Sequence, residues 1–305
     1  MSPRPLPLPS YQKPWLSYAD QIALLSSRGL VIANVPAATD FLRHVSYYRF
    51  SGYCLAFEMS RHNFRPGITF EQVQAAYEFD LALRDVVTEA LEVVEVDFRT
   101  TVAYHFGGRY AAFGHTDPAN FFSRFDHAAW MKRLHEETRR SSELFVTHFK
   151  ATYCGFPDLP VWVVTENMSF GSLSKMCRGM LKPDQKAIAH NYGLQPDVLE
   201  SWMHHMTYVR NLCAHHSRLW DRVWSIKPHL PYARTWRPPY LPGNNRLFAT
   251  LLILNHLMGR SPAVTHFAAD WRARVETLID QPPAVPGSVS MMGLTATWKA
   301  HPLWK

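Results

Sequence analysis

Apolar residues recur every three or four positions along most of the chain, the spacing that places them on one side of an α-helix. Strand-like alternation of apolar and polar residues is nearly absent, and no internal repeat is visible. The pattern therefore predicts an all-α fold. Its longest helix should run from Glu71 to Gly107, after a capping sequence that begins at Thr69. Further helices are predicted at residues 17–29 and 37–52, once within 117–155, at about 162–181, from Pro196 onward, and twice before about residue 280.

The two ends of the chain differ in composition from the region between them. Residues 1–16 contain five prolines and predict an extended leader. Residues 17–280 are expected to form a single domain. The C-terminal segment 281–305 carries Trp298 and Trp304, and these large apolar side chains predict that the segment docks onto the body of the protein.

Composition and charge indicate the cellular compartment and the class of binding partner. Among 305 residues, 47% are hydrophobic and the formal net charge is +7, which favours a folded protein with a polyanionic partner. The four cysteines lie far apart without a CxxC pair, which argues against a zinc site or a disulfide framework and fits a reducing compartment. The most apolar run, "LFATLLILNHLM", is too short to cross a bilayer and predicts a buried helix. We therefore expect a cytoplasmic protein with no membrane partner.

The helix after Pro196 carries the densest group of polar side chains, in the stretch "YVRNLCAHHSRLW" from Tyr208 to Trp220. Its apolar residues recur at helical spacing and should face the core. Five polar residues follow one another at steps of four, three, four and three, which predicts one polar line along the helix. Arg210 precedes one of them and can reach the same surface. The five are His204, Tyr208, Asn211, His215 and Arg218.

An imidazole, an amide and guanidinium groups on one surface suit the metal-independent cleavage of RNA. A base must take the proton of the 2′-hydroxyl, and an acid must protonate the leaving 5′-oxygen. Histidine serves either role because its unperturbed pKa is about 6.5. Arginine supplies a fixed cation against the negative charge that develops on the phosphate. Since one histidine cannot easily fill both roles, two copies of the helix facing each other in a homodimer would supply the second.

The sequence around these residues resembles a known family. "RNLCAH", Arg210 to His215, is similar to the R-x4-H motif of HEPN-domain ribonucleases. Together with "HVSYYRFSGY", "YEFDLALRDVVTEALEVVEVDFRT", "LPVWVVTENMSFGSLSKM" and "MGLTATWKAHPLW", it resembles the Abi-like abortive-infection proteins of the AbiD/AbiF type. The similarity extends from about residue 17 to the end of the chain.

The resemblance implies a HEPN-like helical bundle at about residues 71–228, with additional N-terminal and C-terminal helices. It further implies an endoribonuclease that dimerises through the motif helices, without a metal or another cofactor, and acts in phage defence or as the toxin of a toxin–antitoxin system. Its antitoxin would be a non-coding RNA or a protein. Arg210, Asn211 and His215 match the catalytic positions, and His216 and Arg218 match the extended motif. Asp221 departs from the asparagine that many relatives carry after the tryptophan.

The roles of several of these residues have two interpretations each. Arg210 and His215 are either catalytic or an ordinary cationic surface pair. Tyr208 either stacks on a base or donates a hydrogen bond across a dimer. Glu95 on the long helix either pairs with Arg99 one turn away or orients Arg210 or His215. A metal site built from the histidines is the weaker reading, because no acidic ligand stands at helical spacing among them.

Two other functions also fit the composition. The protein could bind a structured non-coding RNA without cutting it, or it could be the HEPN target of a partner nucleotidyltransferase. The intact R-x4-H sequence favours cleavage over both.

Overall fold

The computed structural model describes residues 10–260 and 264–305, and its architecture confirms the predicted all-α class. The described residues form two compact units. The first extends to Glu78 and includes Pro283–Val285, and the second comprises Phe79–Pro282 and Pro286–Lys305. The division at Glu78 lies inside the region predicted as one domain, residues 17–280. The predicted limits at residues 16 and 280 remain predictions.

The first unit contains three short helices and a small β-hairpin. Ser17 starts the first helix through a capping box with Asp20. The prediction of a single helix at residues 37–52 is wrong, because the structure has two helices here. Ser46 ends the first with a φ of 67°, and its hydroxyl caps the second. The hairpin was not predicted, since its strands are too short to show alternation. The elements are α1 (Tyr18–Ser27), α2 (Val35–Val45), α3 (Tyr47–Cys54), β1 (Glu58–Ser60) and β2 (Asn63–Phe64).

The longest helix, α4, spans Phe70–Tyr110 and confirms the predicted long helix. Thr69 accepts a hydrogen bond from the Gln72 N–H, and the Gln72 side chain accepts one from the Thr69 N–H. This reciprocal cap is the start signal that the sequence carried. At about 1.5 Å per residue, a helix of 41 residues is about 60 Å long.

The second unit continues with shorter helices, several of which divide segments predicted as one. Within 117–155 there are two helices, because Ser141 adopts an extended conformation after the first. The helix predicted at 162–181 is also two, since Met168 is extended and the Ser169 hydroxyl caps the second. The elements are α5 (His127–Arg140), α6 (Leu144–Thr152), α7 (Val161–Asn167), α8 (Phe170–Gly179), α9 (Lys182–Asn191), α10 (Pro196–Ala214), α11 (Leu247–Met258), α12 (Thr265–Ile279) and α13 (Ser288–Met291).

The helix α10 is packed into this unit by its apolar side. It contacts α8 and α9, and its largest side chain, Trp202, is fully buried and donates a hydrogen bond to the His229 carbonyl at 2.7 Å. The neighbouring α11 is buried along almost its whole length, as its apolar run predicted. Burial on this scale fixes the axis of α10, so the polar residues near its C-terminus have defined positions.

The C-terminal segment packs against α11 and α12. Trp298 and Trp304 are both buried. The Trp304 indole donates a hydrogen bond to Glu276 at 2.8 Å, and the Asn255 amide donates one to the Leu303 carbonyl at 2.7 Å. Apolar burial and these hydrogen bonds therefore hold the segment against α11 and α12.

Candidate functional site

The R-x4-H sequence lies across the C-terminal end of α10. Arg210 and Asn211 belong to the helix, whereas His215 is its C-terminal cap and follows the last helical residue, Ala214. The predicted polar line is therefore correct for His204, Tyr208 and Asn211 and wrong for His215 and Arg218. The prediction required the helix to continue past Ala214, and the spacing of the apolar residues does not indicate that the helix ends there.

A Schellman motif ends the helix. The Ser217 N–H donates to the Leu212 carbonyl at 2.8 Å, and the His216 N–H donates to the Cys213 carbonyl at 2.9 Å. His216 has a φ of 52°, the left-handed conformation in which glycine is the usual residue. The turn directs the chain away from the helix axis directly after His215. It thereby places both histidines at an exposed helix end.

A buried carboxylate holds the segment that follows. Asp80 of α4 is 0% exposed and accepts hydrogen bonds from the backbone N–H groups of Leu219 at 2.9 Å and Trp220 at 2.6 Å. Its other oxygen pairs with buried Arg84 at 2.5 Å. A buried carboxylate is stable only when it is paired and hydrogen-bonded, as Asp80 is. The backbone next to Arg218 is thus fixed to α4.

Arg210 projects from α10 toward a carboxylate of α4. Its Nε lies 3.9 Å from Glu95 Oε2, and its side chain is 50% exposed. The other oxygen of Glu95 accepts a hydrogen bond from Arg99, which is itself buried and also donates to the carbonyls of Thr165 and Met168. Glu95 therefore contacts both Arg99 and Arg210, and its orienting role stays a prediction. Arg99 holds the carboxylate in place, and the carboxylate faces one side of the Arg210 guanidinium.

A groove of about 620 Å³ lies between α4 and the end of α10. Arg210 and His216 line one wall, and Glu92 and Glu95 line the other. Asn211 and His215 are exposed on the adjoining surface. The structure thus brings Arg210, Asn211, His215 and His216 to one solvent-accessible helix end.

Tyr208 is half-buried and contacts the chain's own loop. Its hydroxyl accepts a hydrogen bond from the Ser225 N–H at 3.4 Å, and its ring meets Trp224 edge-on with centroids 6.2 Å apart. Base stacking by Tyr208 and a hydrogen bond from Tyr208 across a dimer both remain predictions. Its neighbour in space, His205, is fully buried, and burial lowers the pKa of His205 to about 4.

The neutral form of His205 is fixed by its two partners. Its Nδ1 lies 2.6 Å from the Ile226 carbonyl oxygen, and its Nε2 lies 2.9 Å from the Thr250 hydroxyl. Because a carbonyl only accepts, Nδ1 carries the proton and Nε2 accepts from Thr250. His205 thus anchors the loop after the motif to α10. The sequence analysis did not predict this role, although a spacing of three from Trp202 puts His205 on the apolar side of the helix.

Asp221, the departure from the family pattern, has a structural partner. The Arg246 guanidinium donates to its carboxylate at 3.0 Å, and its backbone has a φ of 52°. Aspartate and asparagine both tolerate this left-handed conformation. The additional negative charge at this position is therefore paired with a cation.

The sequence reasoning missed Asp80 and Arg84. Both lie on α4 at a spacing of four, among residues that are buried on the apolar side of that helix. An aspartate and an arginine one turn apart on the apolar side of α4 indicate a buried ion pair, because unpaired charges are almost never buried.

Within residues 10–260 and 264–305, no group of three or more His, Cys, Asp or Glu side chains is arranged to hold a metal ion. None of the helices in these ranges is long and apolar enough to span a bilayer. All four cysteines are free thiols, and burial raises the pKa of Cys213, within the motif, to about 11.

Fold and site together define an all-α protein that presents an arginine, an asparagine and a histidine at the exposed C-terminus of a buried helix. A family described as "Abi-like protein" matches residues 40–221, more than half of the chain. The chain belongs to the Abi-like family, as the sequence resemblance predicted. No curated protein and no solved structure matches it. Membership in this family implies a role in abortive infection, a form of defence against phage.

Proposed function

We propose that this protein is a metal-independent endoribonuclease of the HEPN type that cleaves RNA during abortive infection or as the toxin of a toxin–antitoxin system. The observation that supports this most strongly is the position of Arg210 and His215 at one exposed helix end. Glu95 orients the arginine from behind, and the Schellman turn positions the histidine. Preorganised groups of this kind stabilise a transition state without having to reorganise.

The proposed reaction is an internal transesterification. The 2′-oxygen attacks the phosphorus while a base removes its proton, and the bond from phosphorus to the 5′-oxygen breaks as an acid protonates that oxygen. His215 supplies the imidazole for proton transfer, and the Arg210 guanidinium stabilises the negative charge on the non-bridging oxygens. Asn211 contributes an amide for orientation. The products carry a 2′,3′-cyclic phosphate and a 5′-hydroxyl.

The second imidazole is proposed to come from another copy of the chain, so that the site is shared across a homodimer. Two exposed apolar side chains of α4, Leu81 and Val96, line the same groove as Arg210. Burying them against a second copy would remove apolar surface from water and bring two motif helices together. The exposed helix end supports this arrangement because no described segment of the chain's own second unit covers it.

Total RNA incubated in EDTA with the purified protein tests the proposal. Wild type should cut, and Arg210→Ala and His215→Ala should each lose at least about 100-fold in rate, the typical contribution of a general acid–base group or a charge-stabilising donor. His190→Ala, which removes an exposed imidazole from α9, should cut at the wild-type rate.

Cleavage at the wild-type rate by either motif variant would refute the site. RNA recovered intact but tightly bound to the wild type would instead favour a non-cleaving RNA-binding protein. Expression of the same variants in cells gives an independent readout, since loss of cleavage should also abolish toxicity.

A further inference from the structure

A second groove, which we call the basic groove, lies along α5, α8, α9 and α10. It has two lobes of about 610 Å³ and about 390 Å³. Lys175, Arg178 and Glu200 line both lobes, so the two form one continuous surface channel. Lys175 and Arg178 stand three residues apart on α8 and therefore project from the same side of that helix, between the lobes.

Cations outnumber carboxylates along the basic groove. Glu200 lies 4.0 Å from Arg178, and Asp126 is occupied as the N-terminal cap of α5. Arg133 pairs with Glu137, which does not line either lobe, at 3.1 Å. Within the parts of the chain that the structure describes, no carboxylate forms an ion pair with Lys175. The six cations are Arg124, Arg133, Lys175, Arg178, Lys182 and Lys227, and the three carboxylates are Asp126, Asp197 and Glu200. Such an excess in a concave surface concentrates the positive potential and attracts a polyanion.

The larger lobe also contains exposed aromatic surface. Phe122 lines this lobe and is 48% exposed. The neighbouring Phe125 ring packs over Gly179, where an added β-carbon would be 2.6 Å from the ring, and stacks on Phe121 with centroids 5.4 Å apart, so this part of the chain is anchored next to Phe122. An exposed aromatic ring such as that of Phe122 can stack on an unpaired base. Base pairs in a duplex do not offer their faces to such side chains, and an acidic peptide has no base to stack.

The smaller lobe leads toward the motif. His204 and Thr207 of α10 line it. Asn211 follows His204 after seven residues, which places both on the same side of the helix about 10 Å apart. A strand that leaves this lobe along α10 therefore reaches the helix end that carries Arg210 and His215.

We propose that the basic groove binds the single-stranded flank of the RNA that is cut at the motif, with phosphates along Lys175 and Arg178 and an unpaired base against Phe122. This inference rests on the proposed ribonuclease function for its substrate. The groove would extend recognition beyond the scissile phosphate, and it would hold RNA whether or not cleavage follows.

The test measures binding separately from cleavage. The probe is a labelled oligouridylate of about 15 nucleotides, and each groove variant is titrated in EDTA in a His215→Ala background. Lys175→Glu/Arg178→Glu should weaken binding more than about tenfold. The neutral pair Lys175→Gln/Arg178→Gln should lower the slope of log affinity against log salt by about 1.4, the loss of two phosphate contacts on a single strand. Lys150→Glu/Arg139→Glu alters the charge equally, outside both lobes, and should bind nearly as the parent does.

Phe122→Ala separates stacking from charge. It should weaken binding about tenfold while leaving the salt slope unchanged. Circular dichroism and thermal unfolding confirm that each variant folds. Equal losses in the groove pair and its charge-matched control would overturn the proposal. So would a duplex, or a polyglutamate competitor, that binds as tightly as the single strand.

The two proposals fail in different ways. If groove variants in the wild-type background bind and cleave normally while His215→Ala does not cleave, the groove is wrong and the ribonuclease stands. If His215→Ala cleaves normally and the groove variants lose binding, the catalytic site is wrong and the RNA-binding surface stands.

Discussion

His216 occupies a backbone conformation that usually requires glycine, at the turn that ends α10. Replacing it by glycine and by alanine removes the same imidazole, but alanine keeps a β-carbon in the left-handed region. We expect His216→Gly to be more stable than His216→Ala by about 1 kcal/mol in urea unfolding. Equal stabilities would show that the left-handed turn is not retained in solution.

The pair also tests what the His216 imidazole does. If it contacts RNA, both variants should bind RNA more weakly than wild type by the same factor. If its role is confined to the turn, the glycine variant should bind and cleave as the wild type does.

Asp80 fixes the backbone after the motif, and its removal should be costly. Asp80→Ala removes the carboxylate from a buried ion pair with Arg84 and frees two backbone N–H groups, so we expect a loss of about 3–5 kcal/mol in the free energy of unfolding. Asp85→Ala removes an exposed carboxylate from the same helix and should change it by less than about 0.5 kcal/mol. Similar losses for the two variants would contradict the anchoring role of Asp80.

At the scale of the elements, the sequence predicted where helices start better than where they end. The starts of α1 and α4 carry capping residues, and both were placed correctly. The end of α10 was missed because a histidine stands where glycine would have marked the turn. The merged helices have a related cause. Ser46 and Ser169 fit a helical pattern as well as a cap, and only tertiary packing decides between the two.

The candidate site was only partly predictable for the same reason. Arg210 and Asn211 could be placed because they lie within a strongly periodic helix. The contact between Glu95 and Arg210 joins residues more than 100 positions apart, and sequence periodicity holds no information about which helices pack together. The anchor from Asp80 to Leu219 and Trp220 is equally distant along the chain.

The groove between α4 and α10 is the proposed dimer interface, and its exposed apolar side chains allow that proposal to be tested. Val96 is 55% exposed there, whereas Leu144 is exposed on α6, outside the groove. Val96→Glu places a charge in the proposed interface, and sedimentation should show a lower dimer fraction together with slower RNA cleavage. Leu144→Glu makes a comparable change on another surface and should leave both unchanged. A monomeric wild type that cleaves at full rate would refute the shared site.

For the molecule as a whole, buried histidines predict how stability depends on pH. Burial lowers the pKa of His205 and of His115 to about 4, against an ordinary value of 6.5. Between these values the unfolded chain binds protons that the folded chain does not. Stability is therefore complete above about pH 6.5 and falls as the pH decreases toward 4.

The expected loss between about pH 7.5 and about pH 5 is about 2 kcal/mol for each of these histidines. His205→Asn keeps a donor toward the Ile226 carbonyl but does not titrate, so its free energy of unfolding should fall less steeply over this range. His190→Asn, at an exposed position, should keep the wild-type slope. An unchanged slope for His205→Asn would show that His205 is not buried in its neutral form.

The division of the chain into two compact units lies within α4, where helical periodicity continues without a break. No change in composition marks that position, so sequence patterns alone predicted one domain. The single domain stays a prediction. The all-α class follows from periodicity repeated over the whole chain, and it is confirmed.

The most direct measurement of the central claim is the chemistry of the RNA ends produced by the wild type in EDTA, compared with His215→Ala. Attack by the 2′-oxygen, with His215 transferring a proton, predicts 2′,3′-cyclic phosphate and 5′-hydroxyl ends in the wild type and neither in the variant. Products with 5′-phosphate and 3′-hydroxyl ends, or cyclic phosphate ends formed equally by His215→Ala, would contradict the proposed mechanism.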